Sequence, residues 1–368
     1  KAMEAFLSLP IVREVLMKGP TKSSVLTTDN LQIDLRVVAP DSYGAALQYF
    51  TGSKSHNVVL RGIAISKGLK LNEYGLFRID SGDRIAGRSE EEIYAALGLA
   101  WMPPELRENR GEIEAAAAGL LPDLVEIGDL RGDLHSHTDW SDGRDSLEEM
   151  ARAAIAHGYQ YLAITDHSLS LGVAHGLNLR RVREQGERIE SLNRKLAPFK
   201  LLHGCEVEIL NDGRLDYSDE LLASFDLVGA SLHLGMGQSS EKITKRILSA
   251  FRSRVNILNH PTGRLLNQRP PYEVDLGAVF AAAREKGIAL EVNGQPSRLD
   301  LKDTDARRAR DMGISLALDT DSHHAEGLDA MRYAVATARR GWVEKKDVLN
   351  TLDLDQLLRY LERERKAA

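Results

Sequence analysis

From residue 131 onward the chain repeats one pattern, an apolar run, a polar tip and an amphipathic helix, and this restricts the fold more than any other feature of its 368 residues. The apolar runs are Asp133-Leu134, Tyr161 to Ile164, Lys200 to Val207, Asp226 to Leu232, Val255 to Leu258, Ile288 to Val292 and Ile314 to Leu318. Strands that alternate with helices lie parallel in one sheet. Seven such units without a dinucleotide-type glycine fingerprint predict a barrel rather than an open sheet. Ser146-Leu-Glu-Glu149 has the form of a capping box and predicts a helix that Gly158 closes.

The tips of these runs are chemically narrow. His135 and His137 follow the first and Asp142 lies in the turn beyond; spaced i, i+2, the two histidines point the same way from one strand. Asp166-His167 follows the second run, Glu206 lies inside the end of the third, His233 and His260 follow the fourth and fifth, and Asp321 and His323 follow the seventh. The sixth ends in Asn293-Gly294 without a ligand, although Asn293 could serve as an outer donor. In a parallel barrel the carboxyl ends of all strands meet at one face, where chemistry sits. A single histidine is more often a satisfied core residue than a ligand, but nine residues of ligand type do not gather at strand ends by accident. Imidazole nitrogens mixed with carboxylates suit Zn²⁺, Mn²⁺ or Fe²⁺ rather than Ca²⁺ or Mg²⁺, which prefer all-oxygen shells. Nine ligands exceed one ion; three ions of three to four ligands each, with one carboxylate shared, account for the count. Such clusters activate water and clamp phosphoryl oxygens, which predicts a phosphoester hydrolase. Arg264, in His260-Pro-Thr-Gly-Arg264, could reach a substrate phosphate or make a surface ion pair. His157, His175, His203 and His324 fall off the pattern and are read as structural.

The front of the chain differs. Ile33 to Val38 reads as a strand with Asp34 and Arg36 on one face, Ser42 to Gln48 and Ser55 to Lys67 as helices, Leu69 to Phe77 as a strand pair turning near Gly75, and Glu90 to Leu97 as a short helix. The stretch from Glu112 to Pro122 reads as a linker or a loosely docked helix. Residues 1–80 carry ten Lys and Arg against seven Asp and Glu, or +3, so within the net charge of −6 the remainder carries −9. A mildly basic front with an acidic back fits a DNA-gripping module joined to a carboxylate-rich pocket. The single cysteine, Cys205, excludes an internal disulfide framework, and no window approaches eighteen uninterrupted apolar residues. A cytoplasmic protein without membrane association, and with no obligate protein partner evident, is expected. Lys1 is not a natural start, so a segment upstream is expected as well.

Taken in order, His135-Ser-His137, Ser141-Asp-Gly143, Thr165-Asp-His167, Glu206, His233, His260-Pro261 and Asp321-Ser-His323 resemble the PHP (polymerase and histidinol phosphatase) domain. The resemblance implies a distorted seven-stranded barrel with three divalent ions, Mn²⁺ or Zn²⁺. It divides the ligands into His135, His137, Glu206 and Asp321 for one ion, Glu206, His233 and His260 for a second, and Asp142, His167 and His323 for a third. Leu31-Gln-Ile-Asp-Leu-Arg36, Tyr49-Phe-Thr-Gly-Ser53, Asn57, Arg61 and Asn72-Glu-Tyr74 resemble the late palm and the thumb of family X DNA polymerases. That match implies Asp34 as the third catalytic carboxylate, Tyr49, Phe50, Gly52 and Asn57 beside the incoming nucleotide, and Arg61 on the template side of the minor groove.

The combination resembles the bacterial family X polymerases. The expected fold class is α/β, a small α+β palm and thumb portion followed by a distorted (β/α)7 TIM-like barrel. The expected domains are residues 1–40 as the end of the palm, 41–110 as thumb, 111–130 as linker and 131–368 as the PHP domain. Two departures bear on activity. The first two palm aspartates, in a Gly-Asp-x-Asp motif, would lie upstream of Lys1, and Gln32 stands where animal relatives carry arginine. Nucleotidyl transfer with Mg²⁺ or Mn²⁺ and dNTP is therefore expected of a longer protein only. For this chain the resemblance implies a metal-dependent 3′-to-5′ exonuclease acting on gapped or primer-template DNA, with cleavage at abasic sites as a further activity; Glu206 and Arg264 are the residues expected to take part in catalysis. A histidinol-phosphatase type of small-molecule phosphatase, or a metal domain that only supports the polymerase, are the competing expectations.

Overall fold

The computed structural model describes residues 1–367, with side chains through residue 362. The chain forms two compact units, Lys1–Leu121 and the part from Pro122 onward. No helix among the described residues is long and apolar enough to cross a membrane.

The first unit runs α1 (Ala2–Leu7), β1 (Val12–Lys18), β2 (Lys22–Thr27), β3 (Gln32–Arg36), α2 (Tyr43–Phe50), α3 (Lys54–Ser66), β4 (Leu69–Asn72), β5 (Gly75–Arg78), β6 (Arg84–Ala86), α4 (Glu90–Ala96) and α5 (Glu112–Ala118). Strands β1 to β3 form one antiparallel sheet and β4 to β6 another. The strands and helices expected from Ile33 to Leu97 appear as β3, α2, α3, β4, β5 and α4. The β1–β2 hairpin has no counterpart in the sequence reading. Its first strand, Val12-Arg-Glu-Val-Leu-Met-Lys18, lacks alternation, and its register against β2 shifts twice.

The stretch expected to be loose is tightly docked. On α5, Ile113 and Ala116 join Leu60, Leu76, Ile93 and Tyr94 in the core of this unit. Glu112, fully buried, accepts from the backbone N–H groups of Asn109 (2.7 Å) and Arg110 (2.6 Å) and pairs with His56 Nδ1 at 2.7 Å.

The second unit alternates as its sequence predicts: β7 (Gly132–Asp133), α6 (Leu147–Ala156), β8 (Tyr161–Ile164), α7 (Leu179–Leu196), β9 (Lys200–Glu208), α8 (Asp219–Leu222), β10 (Leu227–Ser231), α9 (Ser240–Ala250), β11 (Ile257–Leu258), α10 (Leu276–Lys286), β12 (Ala289–Asn293), α11 (Asp303–Asp311), β13 (Leu316–Asp319), α12 (Met331–Arg340) and α13 (Leu354–Ala367). The seven strands pair in chain order and every pair is parallel, which bears out the expected barrel. Ser146 and Glu149 make the predicted capping box at the start of α6, worth about 1 kcal/mol at an exposed helix end.

Alternation along each strand sends every second side chain inward. Leu134, Tyr161, Ala163, Leu202, Leu227, Ile257, Ala289 and Ala317 form an apolar cluster drawing on all seven strands or their tips, packed with Leu357 and Leu361 of α13. Continuing by twos toward the strand ends, Leu202 leads to Glu206, Leu227 to Ser231, Ala289 to Glu291 and Ala317 to Asp319. One face of the strands thus changes from apolar to polar or charged within two to four residues.

Between β13 and β7 the barrel closes with side chains rather than a ladder. A lone parallel bridge joins Ser136 to Ser322. Below it, Asp319 Oδ1 accepts from the backbone N–H of Leu134 (2.9 Å), and Asp133 Oδ2 accepts from Thr320 Oγ1 (2.6 Å). The buried amide of Asn350 donates to the carbonyls of Gly132 (3.1 Å) and Leu318 (2.9 Å) and to Asp319 Oδ1 (3.0 Å), while its Oδ1 accepts from Leu318 N–H (2.8 Å). Burial pushes the Asp133 and Asp319 carboxyls up from the ordinary range, for Asp133 with the charge of Asp319 added. Gly132 is required here, since a Cβ would stand 2.2 Å from the Tyr161 ring.

Candidate metal centre

The barrel mouth brings all nine expected ligands into one connected cluster. His135 and His137 leave β7 on its inward side; their Nε2 atoms face each other at 3.1 Å. Glu206 Oε2 lies 3.4 Å from His135 Nε2 and 3.3 Å from His137 Nε2, and Asp321 Oδ1 lies 3.5 and 3.2 Å from the same two nitrogens. Ligands at 2.0–2.1 Å around one ion stand about 3.3–3.4 Å apart, and His135, His137 and Glu206 form a group of that size, with Asp321 Oδ1 beside both imidazoles.

On the more open side, Asp142 Oδ1 stands 3.5 Å from His167 Nε2 and 3.4 Å from His323 Nε2, with His137 completing a second group. A third group contains His167, Glu206 and His233, and His260 Nε2 approaches Glu206 Oε1 at 2.9 Å. His167 therefore reaches both Asp142 and, through Nδ1 at 3.0 Å, Glu206. The division implied by the resemblance assigned it only to the former. His157, His175, His203 and His324 join none of these groups.

The donor atoms fit cations better than they fit one another. Glu206 Oε2 and His137 Nδ1 are buried without a correctly directed hydrogen bond, although three imidazole nitrogens lie 3.0–3.4 Å from that oxygen. Burial opposes a charge on His135, yet Asp321, Glu291 and Glu206 outweigh it and raise the imidazole well above its ordinary value. Burial likewise opposes a charge on His167, but Glu206 and Asp142 lift it to about 10. Burial would raise Glu206 and Asp321; the surrounding histidines, led by His167 for one and His135 for the other, hold both well below the ordinary carboxyl range. His260 is the exception, pushed down to about 3 by burial and then by the Arg298 charge. The potential at the mouth strongly favours positive charge, and neutral imidazoles with ionised carboxylates are what Zn²⁺ and Mn²⁺ bind.

Residues outside the sequence pattern support this cluster. Glu291, inside β12, pairs with His135 Nδ1 at 2.7 Å, and Glu208, at the end of β9, pairs with His233 Nδ1 at 2.9 Å. Asn293 Nδ2 donates to Asp321 Oδ2 at 3.2 Å. Asp166, adjacent to His167, instead accepts from Thr138 N–H, Thr138 Oγ1, Ser141 Oγ and Gln185 Nε2, and so holds the turn that carries Asp142. The guanidinium that meets a site carboxylate is Arg298, whose Nε is 3.2 Å from Asp321 Oδ2. Arg264 donates from Nε to the carbonyl of Arg298 (2.8 Å) and from Nη2 to that of Leu299, steadying the loop that carries Arg298. A charged residue within an otherwise apolar parallel strand, as in Ala289-Leu-Glu-Val292, was the signal that could have revealed Glu291.

In the first unit, Asp34 is exposed on β3, where hydrogen bonds from Ser24 and Gln32 and the Lys22 ammonium hold its carboxyl at about 2. Tyr49 and Phe50 end α2 edge to face at 5.0 Å, and the Arg36 guanidinium lies 5.0 Å above the Phe50 ring. Asn57 ties this end of α2 to α3, donating to the Tyr49 carbonyl (3.1 Å) and accepting from Gln48 Nε2 (2.7 Å). Gly52 has φ +88°, and a Cβ there would lie 2.5 Å from that of Arg107. Arg61 sits half-buried on α3, one turn beyond Asn57.

Fold and site together define a PHP barrel in a chain that also carries a polymerase thumb. Residues 133–294 match the PHP domain family and residues 46–108 the DNA polymerase beta thumb family. Over 363 residues, 98% of this chain and 63% of the relative, the protein is 42% identical to the DNA polymerase/3′-5′ exonuclease PolX of Bacillus subtilis, which bears out the resemblance to bacterial family X polymerases. The chain thus spans less than two thirds of that relative's length. It is also 29% identical over 248 residues to a probable phosphatase of Thermoanaerobacter, covering 64% of this chain and 95% of that protein. A solved histidinol phosphate phosphatase from Lactococcus lactis overlaps 56% of this chain and 93% of its own, with 19% identity and a TM-score of 0.43.

Proposed function

We propose that the protein is a divalent-metal-dependent phosphodiesterase that removes nucleotides from DNA 3′ ends, the exonuclease part of a family X repair polymerase acting in the bacterial cytoplasm. The observation that carries this reading is the buried quartet His135, His137, Glu206 and Asp321, open on one side to Asp142 and His323, in a chain that also carries a polymerase thumb. Three Mn²⁺ or Zn²⁺ ions would be held by that quartet, by Glu206, His233 and His260 with His167 nearby, and by Asp142, His167 and His323. Bound there, such ions acidify water and offset the charge of a phosphodiester.

The protein's own residues supply the rest. Glu206 faces two groups with its two oxygens and keeps them at a set separation. Arg298, steadied by Arg264, provides a fixed positive charge beside Asp321 where a phosphate would enter. Loss of Arg264 acts on catalysis through this loop. Asp142 and His323, each about one-third exposed, mark the side from which a 3′ end arrives.

For the front unit we propose that Asp34 is the third carboxylate of a polymerase site that binds Mg²⁺ or Mn²⁺ and dNTP in a longer protein. Tyr49, Phe50, Gly52 and Asn57 border the nucleotide, and Arg61 touches the DNA minor groove of a gapped or primer-template substrate. The same barrel mouth is proposed to cut at abasic sites. The test is hydrolysis of a 3′-labelled oligonucleotide with added Mn²⁺, compared with hydrolysis of a phosphomonoester. Preference for the oligonucleotide, abolished in His135→Ala, supports the reading; preference for the monoester supports the small-molecule phosphatase that the Thermoanaerobacter similarity favours.

A further inference from the structure

We infer that Glu291 and Glu208 are positioning residues that hold His135 and His233 in the ring orientation and tautomer a metal requires, and that the outward group of Asp142, His167 and His323 has no carboxylate of this kind from outside the ligand set. The inference rests on the metal reading above and concerns two residues that it does not use as ligands.

Each carboxylate makes the same two-part contact. Glu291 pairs through Oε1 with His135 Nδ1 at 2.7 Å, and through Oε2 it accepts from the backbone N–H of His260. Glu208 pairs with His233 Nδ1 at 2.9 Å and accepts from the backbone N–H groups of His233 (3.0 Å) and Leu234 (2.9 Å). A neutral imidazole that donates its Nδ1–H to a carboxylate presents a bare Nε2 lone pair on its other side. In His135 that Nε2 faces His137, Glu206 and Asp321; in His233 it faces Glu206 Oε1 at 3.5 Å. Both carboxylates are essentially fully buried, and neither belongs to any group of atoms arranged to hold an ion. Each also pins the backbone of a strand tip, so ring orientation and ligand loop are set by one side chain.

The outward group is built differently. His323 Nδ1 meets the backbone carbonyl of Asp321 at 2.8 Å, with Oδ1 of the same residue at 3.8 Å, and His167 turns its Nδ1 toward Glu206; both carboxylates are themselves ligands. Asp142 and His323 are each about one-third exposed, against 4% or less for the inner quartet. A carboxylate behind a metal-bound imidazole raises its basicity, and loss of that partner lowers metal affinity about 10- to 100-fold.

The experiment is equilibrium competition for Zn²⁺ between the purified chain and a chelator of known affinity, with Glu291→Gln, Glu208→Gln and wild type compared. Visible spectra of the Co²⁺-loaded proteins report ligand geometry independently of activity. The expected result is that each variant loses about 10- to 100-fold in affinity for its tightest-held ions. The outward position should be the first emptied in wild type, and the Co²⁺ spectrum should change in both variants. Circular dichroism of the metal-stripped proteins checks folding, and should Glu291→Gln not fold, Glu208→Gln alone decides the matter. Unchanged affinity and spectrum in a folded variant would overturn the inference while leaving the metal reading intact. Failure of wild type to bind Zn²⁺ would overturn the metal reading itself.

Discussion

Both units bury a cluster of charges, and the two clusters are built to opposite rules. In the first, Arg107 donates Nη1 and Nη2 to the two oxygens of Glu90 (2.5 and 2.9 Å) and Nε to the Met102 carbonyl (2.9 Å), while Trp101 Nε1 donates to Glu90. His56 bridges Glu112 and the Tyr94 hydroxyl. Each of these polar groups meets a partner. In the barrel mouth, imidazole nitrogens face each other and a carboxylate oxygen faces three of them without a directed bond. A closed network holds helices together; an open one leaves its lone pairs for a ligand.

The largest effect expected from this contrast is at Glu206. Glu206→Ala should reduce oligonucleotide hydrolysis to background and remove metal, yet leave the melting transition of the first unit in place. A variant that keeps wild-type cleavage in a clean preparation would break the contrast. Next comes Arg107→Leu, which strands Glu90 in the core and should cost about 3–5 kcal/mol in urea unfolding without altering Zn²⁺ binding by the barrel. Replacing Glu90 and Arg107 together by apolar residues should recover much of that loss. Asn350→Leu tests the barrel seam. With several buried backbone groups losing their partner, a loss of about 1–3 kcal/mol is expected, and an unchanged unfolding midpoint would remove the seam from the account.

The pH response separates the clusters further. Burial works to raise Glu90 and Glu112, but Arg107 and His56 respectively, with backbone N–H groups beside Glu112, bring both below the ordinary 4.5. Carboxyls depressed by folding stabilise above their unfolded value, and that stability is lost as pH falls through the folded value. Acid titration of wild type should therefore show stability declining below about pH 4.5, and the decline should be shallower in Glu112→Gln. Equal slopes would mean that Glu112 is not held ionised. The smallest expected effect is on DNA affinity, which should fall with added salt if the basic front grips phosphates.

The sequence alone determined the barrel and most of its mouth. Parallel strands buried on both faces must be apolar, so seven such runs divided by helices define the architecture, and their polar tips fall on one face whatever the details. His135, His137, Asp142, His167, Glu206, His233, His260, Asp321 and His323 were legible for that reason. Only the tertiary structure decided what stands behind them. Glu291 and Glu208 lie within strands, and their partners are 156 and 25 residues away. Asn350 closes a seam 218 residues from Gly132. Arg298, in the loop between β12 and α11, reaches Asp321, while Arg264 binds carbonyls of that loop. Local pattern reports which face a side chain takes; it does not report which distant group completes a hydrogen bond, because that depends on how the last strand returns to the first.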